Sequence, residues 1–251
     1  NNKSTTISDI INSSHLDILA LQETWHENSD SLALRRAVPD GYSVIDEARV
    51  NKNAALQQHS NFYGGVAIIY RSEYKAKKPV SLPYFSTFEY VGCRLNASHK
   101  GDVAIVSVYR PGSKSITSQF FTELTTLFES LVTFRCPVVI LGDLNIHIER
   151  ADDVHTCEFA NLLASFDMCQ CVHEATHSSG GLLDVIITRN SDSVTDVFVT
   201  ETGVSDHVLI SGHLSVLHPT VDSIPVEGRK WNTFSIDDFR TDVMNSKLCN
   251  N

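Results

Sequence analysis

The apolar run Val138-Val139-Ile140-Leu141 stands between Pro137 and Gly142 and breaks off into Asp143-Leu144-Asn145. Four branched aliphatics in succession predict a strand buried on both faces. Asp143 and Asn145, two apart at its C-terminal end, project to one side of an extended chain, at the edge where open α/β sheets carry their sites. The same grammar recurs along the chain. Ile7, Ile10 and Ile11 predict a helix over Thr6 to Ser13, followed by a strand Ile18 to Gln22 that ends at Glu23. Tyr42 to Ile45 reads as a short strand, Val50 to Asn61 as a polar loop, and Gly64 to Tyr70 as a core strand. Tyr90 to Leu95 and Val103 to Tyr109 form a strand pair turning at Gly101-Asp102.

Ser115 or Thr117 caps a helix reaching about Phe134, with Phe120, Phe121, Leu124, Leu127, Phe128 and Leu131 on its apolar face. Thr156 to Phe166 is helical, Leu182 to Thr188 and Val194 to Thr200 are strands, and Ser205-Asp206-His207 opens a last strand, Val208 to Val216. His218-Pro219 closes that pattern. Val221 to Gly228 reads as a linker, and Ser235 with Asp238 caps a further helix striped by Ile236, Phe239 and Val243.

Polar residues therefore stand at strand ends: Glu23, Tyr109, Asp143, Asn145, Asp184, Asp206 and His207. Each alone reads equally as a turn or a satisfied core residue. Together they point to a site, because carboxylates beside buried runs cost several kcal/mol unless paired or metal-bound.

Composition narrows the picture. The chain has 251 residues, 42% hydrophobic and 20% charged, with 12 Gly and 7 Pro spread without clustering, which fits one α/β domain. No apolar stretch approaches the roughly 20 residues that span a bilayer, and no signal-peptide core opens the chain, so an intracellular protein without a membrane partner is expected. The absence of an initiator Met reads as excision from a longer polypeptide. A formal net charge of −10 argues against polyanion binding by bulk electrostatics; a phosphate-handling site would need a divalent cation held by some of those acids. Arg71, Lys75, Lys77 and Lys78 read as a solvated edge strand. The six cysteines, at 93, 136, 157, 169, 171 and 249, are irregular and read as free thiols of a reducing compartment. The rival, a zinc site drawn from His155, Cys157, Cys169, Cys171, His173 and His177, lacks the usual knuckle spacing.

The blocks LQETW (21–25), GGVAI (64–68), VYRPG (108–112), GDLN (142–145), LDVIIT (183–188) and SDHV (205–208), in that order, resemble the endonuclease/exonuclease/phosphatase superfamily. More narrowly they resemble the apurinic-endonuclease-like domain of LINE-type (non-LTR) retrotransposons. The resemblance covers residues 1–217 and implies a four-layered α/β sandwich, two mixed sheets face to face with helices outside. It implies Mg²⁺-dependent cleavage of phosphodiesters, with Mn²⁺ as a substitute. Position by position, Glu23 and Asp206 correspond to metal ligands. Asp143 and Asn145 form the GDxN pair, Asp184 orients His207, and Tyr109 meets the scissile phosphate or leaving group. Asp143 is the expected base and His207 the phosphate stabiliser. Arg110, Lys114, Thr176 and Ser205 are the expected substrate contacts, the first two as a positive strip along the DNA groove.

Two departures stand out. Family members begin with a strand ending in a metal-binding Asn, and this sequence starts at about the helix after it, so a first strand and one ligand are expected to be missing. Gly112 stands where repair relatives often carry Asn, which favours the retrotransposon branch over abasic-site repair. The expected activity is nicking of target duplex DNA to leave a 3′-hydroxyl for target-primed reverse transcription, in the nucleus, with residues 218–251 leading toward a reverse transcriptase. The alternatives are a phosphatase or sphingomyelinase of the same fold and an inactive copy that only binds nucleic acid.

Overall fold

The computed structural model describes residues 2–26, 28, 30–49, 64–79, 82–96, 101–216 and 235–246, in two compact units, Asn1–Leu217 and His218–Asn251. The first unit runs α1 (Asn2–Ser13), β1 (Ile18–Gln22), α2 (Leu32–Ala37), β2 (Tyr42–Glu47), β3 (Val66–Arg71), β4 (Lys75–Pro79), β5 (Glu89–Asn96) and β6 (Asp102–Tyr109). It continues with α3 (Ser118–Leu131), β7 (Val138–Asp143), α4 (Val154–Ser165), β8 (Met168–Gln170), β9 (Asp184–Arg189), β10 (Val194–Thr200) and β11 (Leu209–Leu214). The described part of the second unit is α5 (Ile236–Met244). Its cap is the expected one, with Asp238 N donating to Ser235 Oγ at 3.2 Å.

A six-stranded sheet, β4-β5-β6-β7-β9-β8, is the central layer. It is mixed: β6 and β7 are parallel, and its other pairs antiparallel. The facing layer is antiparallel and comes as two ladders, β1-β3-β2 and β10-β11. Alternation along the strands sorts the aliphatic side chains between cores. Ala104, Val106 and Val108 of β6, with Val138 and Ile140 of β7, pack on Phe120, Leu124, Leu127 and Phe128 of α3 and Phe159 of α4. Val103 and Ile105 of β6 and Val139 of β7 point the other way, into a core shared with Val66 and Ile68 of β3 and with Val199 and Ile210 of the β10-β11 ladder. Ile69 of β3 meets Ile11 of α1 and Ala37 of α2 on the far side. Helices, sheet, sheet and helices thus make the α/β sandwich that the sequence predicts.

Several local readings are refined. Thr117 rather than Ser115 caps α3, its side chain accepting from Phe120 N. That helix stops at Leu131 rather than Phe134, because Arg189 of β9 reaches across to the carbonyls of Leu131 (3.0 Å) and Phe134 (2.6 Å) and satisfies the end of the helix. The helix α2 is not legible as an element in the sequence, whereas β8 falls where the alternation of residues 169, 171 and 173 reads as a strand. Lys75 and Lys77 lie on β4, an edge strand whose Lys77 pairs with Asp102 at 2.9 Å, as the solvated-edge reading has it. Cys93, Cys136, Cys157, Cys169 and Cys171 are free thiols. The predicted loop 50–61 and linker 221–228 lie outside the described residues. Among the described residues no helix is long and apolar enough to cross a membrane.

The β6–β7 pairing leaves no room for a side chain at Gly142. Gly142 has φ +149°, and a Cβ there would sit 1.9 Å from the Val108 carbonyl oxygen. Gly142→Ala is expected to destabilise the fold by about 3 kcal/mol or more, read as a lowered denaturant midpoint; near-wild-type stability would show that the two strands can part at this point.

Candidate active site

Strand register assembles the site. Tyr109 of β6 pairs with Asp143 of β7, and Asp143 pairs on its other side with Asp184 of β9, so three polar side chains stand abreast at the ends of neighbouring strands. All three are buried. From the facing layer Glu23, one residue past β1, receives the Tyr109 hydroxyl hydrogen bond. His207, just before β11, places Nδ1 2.8 Å from Asp184 Oδ2. Gln22 Nε2 donates to Ser107 Oγ at 3.0 Å and so ties the two layers together beside the site.

Asn145 closes against Asp143. Its amide N donates to Asp143 Oδ1 at 2.8 Å, and its Nδ2 donates to Asp143 Oδ2 at 2.7 Å and to the Arg110 carbonyl at 2.8 Å. Glu23 and Asn145 both adopt left-handed backbone, φ +52° and +51°, a conformation that non-glycine residues hold only where surroundings over-determine it. Gly112 has its reason here, since a Cβ on it would lie 2.5 Å from Asn145 Oδ1. An asparagine at 112 and this position of Asn145 exclude each other.

The electrostatics follow from crowding acids in a buried rung. Burial pushes the Asp143 carboxyl up to about 7, Asp184 and Glu23 add to the rise, and the Asn145 amide and His207 oppose it. The hydrogen bond that Asp184 accepts from it lifts His207 to about 9 against its burial. Burial and the Glu23 carboxylate also raise the Tyr109 phenol, which stays protonated at neutral pH. One donor atom each from Asp143, Asp184 and His207 lies within 4.8 Å of the others, and a second such group is His177, Asp206 and His207.

Glu23, Tyr109, Asp143, Asn145, Asp184 and His207 are therefore brought together. Asp206, expected beside Glu23, is exposed and turns its carboxylate to His177, 3.2 Å away; Glu23 belongs to neither donor group among the described residues.

Two expected substrate contacts need correction. Arg110 is 3% exposed and faces inward: Nε donates to the Leu144 carbonyl, Nη1 to those of Lys114 (2.7 Å) and Pro111, and Nη2 to that of Asn145 (2.7 Å). A guanidinium that binds carbonyls on both site loops clamps them and is not available to DNA phosphates. Thr176 is fully buried, its Oγ1 accepting from the amides of Leu183 (2.9 Å) and Asp184 (3.1 Å). It fixes the start of β9 and does not face substrate. Lys114 and Ser205 are exposed, with Ser205 Oγ accepting from His207 N at 3.1 Å. The rival cysteine zinc site, set aside on spacing, does not form among the described residues: Cys169 and Cys171 Sγ are 4.0 Å apart and both turn to Thr188 Oγ1, while Cys157 bonds the Ala151 carbonyl.

Sequence reasoning missed Arg49 and His177. Arg49 pairs with Glu89 and lies 5.8 Å over the Tyr109 ring, where its charge opposes the rise of that phenol; a lone Arg ahead of a polar stretch carries no pattern that would reveal it. His177 was placed only in the cysteine group.

The chain belongs to the endonuclease/exonuclease/phosphatase family, whose model matches residues 1–207. A search of curated proteins by sequence returns no significant match. Among solved structures the catalytic domain of human Nocturnin with bound sulfate is 17% identical, covering 84% of this chain and 86% of that one with a TM-score of 0.62. The 3′ phosphatase NExo from Neisseria, bound to a product DNA hairpin, is also 17% identical (85% and 95% covered, TM-score 0.62). The endonuclease domain of TRAS1, a telomere-specific non-LTR retrotransposon, is 13% identical (86% and 93% covered, TM-score 0.62). These likenesses establish the fold, and the family that of hydrolytic nucleases and phosphatases.

Two outcomes test the geometry. His207 stabilises the fold fully below its ordinary value of 6.5 and loses that contribution as pH rises through about 9; in Asp184→Asn the ring should titrate near 6.5, measured by NMR, and an unchanged titration would discard the pair. Arg110→Lys should cost about 2 kcal/mol or more, because carbonyls held by the planar fork lose their donors; unaltered unfolding would return Arg110 to the list of surface cations.

Proposed function

We propose that the chain is a divalent-metal-dependent DNA endonuclease that nicks duplex DNA and leaves a 3′-hydroxyl. The observation that carries this reading is the single buried rung of Tyr109, Asp143 and Asp184, with an acid at about 7 between an asparagine and a charged imidazole. A group poised near neutrality suits proton abstraction at neutral pH. Asp143 is the proposed base that takes the proton from the attacking water. His207, held charged by Asp184, faces the phosphate, and Asn145 and the protonated Tyr109 steady the charge that grows on phosphoryl and leaving oxygens. Water attacks phosphorus opposite the O3′ atom, the P–O3′ bond breaks to leave a 5′-phosphate, and O3′ departs as an alkoxide that takes its proton from solvent.

The donor set fits a hard cation. Burial first, and then the neighbouring Asp184 and Glu23 carboxylates, push Asp143 upward, and oxygen donors are what Mg²⁺ or Mn²⁺ takes. Glu23 is its proposed anchor, with Asp143 as a further oxygen donor. When bound, the ion supplies Lewis-acid polarisation of a phosphoryl oxygen. Nucleic acid as substrate is supported by NExo, solved with a product DNA hairpin, and by the TRAS1 endonuclease domain. TRAS1, from a telomere-specific non-LTR retrotransposon, together with the block order in the sequence, supports a LINE-type origin; action in the nucleus alongside a reverse transcriptase is part of the same proposal. With Arg110 withdrawn from the groove, Lys114 and Ser205 remain the proposed substrate contacts, and Arg49 joins them.

The test is relaxation of supercoiled plasmid. Wild type should nick with Mg²⁺ and stop with EDTA, and Asp143→Ala should lose about 10³-fold in rate while gel-shift affinity is kept or improved. Parallel loss of binding and nicking in a folded variant would remove Asp143 from the role of base. Phosphate release from a 3′-phosphorylated oligonucleotide without plasmid nicking would replace the endonuclease by a phosphatase.

A further inference from the structure

His177 lies outside the machinery described above, yet it is held beside it. The segment 176–178 and the segment 206–208 are laced together: Val208 N donates to the Thr176 carbonyl at 3.0 Å, Ser178 N donates to the Asp206 carbonyl at 2.8 Å, and His177 and His207 form a bridge pair. The two imidazoles meet edge to face, ring centres 4.8 Å apart. Asp206 Oδ2 sits 3.2 Å from His177 Nε2, and one donor atom of each of the three residues lies within 4.8 Å of the others.

Both rings are oriented from behind. His207 Nδ1 is engaged by Asp184 Oδ2 at 2.8 Å. His177 Nδ1 is met by the hydroxyl and the amide of Ser179, at 2.6 and 3.1 Å. The Ser179 amide donates to that nitrogen, so Nδ1 accepts here and Nε2 carries the proton toward Asp206 Oδ2; a metal on Nε2 takes that proton's place, and the Ser179 hydroxyl then accepts from Nδ1–H, as outer partners aim metal-binding histidines. Two imidazoles and one carboxylate on a partly exposed rim are the three-ligand set of a zinc site with an open fourth position. Mg²⁺ prefers oxygen shells and dehydrates reluctantly, whereas borderline cations late in the divalent series favour imidazole.

We propose that His177, Asp206 and His207 bind Zn²⁺ at the rim of the cleft, and that Zn²⁺ bound there withdraws His207 from substrate and inhibits phosphodiester cleavage. The inhibition rests on the proposed endonuclease function; the binding does not.

The experiment uses the full chain, metal-free, titrated with ZnCl₂ by calorimetry and with CoCl₂ by absorbance. Wild type should bind one Zn²⁺ that His177→Gln weakens by about tenfold or more, since the amide keeps a polar contact with Asp206 and is a poor zinc ligand. Ser179→Ala should weaken it in the same direction without touching a ligand, and serves as the test if His177→Gln fails to fold. The Co²⁺ complex should show ligand-field bands without thiolate charge transfer. Equal Zn²⁺ affinity in His177→Gln, or thiolate bands that place the metal on the cysteines, would overturn the site. In the nicking assay with Mg²⁺, His177→Gln should keep its basal rate and need about tenfold more Zn²⁺ for half inhibition. Zinc binding that depends on His177 in a protein that nicks nothing would sink the endonuclease reading and leave the site standing. Nicking equally zinc-sensitive in wild type and variant would overturn the inhibitory role.

Discussion

The close parallel pairing of β6 and β7 is the constraint on which the rest of the molecule depends. Parallel neighbours end at the same edge of a sheet, so Tyr109 and Asp143 finish together; β9, antiparallel to β7, starts there with Asp184. Only glycine at 142 lets the strands stay paired up to that rung, because any Cβ would enter the Val108 carbonyl. The helix α3 makes the crossover that parallel pairing requires and covers the outer face of both strands with phenylalanines and leucines. The packing that holds the sheet together therefore also sets how close the acids stand.

That closeness has an electrostatic consequence. Carboxylates abreast in a buried rung disfavour one another's ionisation, and the fold meets this with local donors rather than with distant charge. His207 neutralises Asp184, the Asn145 amide and side chain hold Asp143, and Tyr109 caps Glu23. The remaining negative potential is what a divalent cation would compensate. On the proposed function, a chain of net charge −10 would handle phosphate on these terms, with acids that repel a polyanion elsewhere serving as cation ligands at the site.

Arg110 shows a different use of charge. Its guanidinium spends its donors on carbonyls of Leu144, Asn145, Pro111 and Lys114, so the two loops that carry Asn145 and Gly112 are set relative to each other from beneath. Thr176 does the same for Asp184 from the side of His207. Side chains adjacent in sequence to site residues are thus the frame on which the site is mounted.

What the sequence by itself determined is local. Runs such as Val103–Tyr109 and Val138–Leu141 admit only buried strands, the helix face Phe120, Leu124, Leu127, Phe128 and Leu131 has one periodicity, and polar residues at the strand ends mark an edge. The order of the blocks identified the family and its sandwich. Tertiary structure decided everything that depends on which way a long or small side chain turns. Adjacency to Tyr109 made Arg110 look available to DNA, yet burial turned it inward, because the carbonyls of two irregular loops must be satisfied and no strand does so. The reason for Gly112 is Asn145, thirty-odd positions on, and His177 meets His207 across two segments distant in sequence. Periodicity reports what a residue shares with neighbours on its own element, whereas these contacts join elements, and only the closed fold sets the distances on which charge, hydrogen bonding and metal affinity depend.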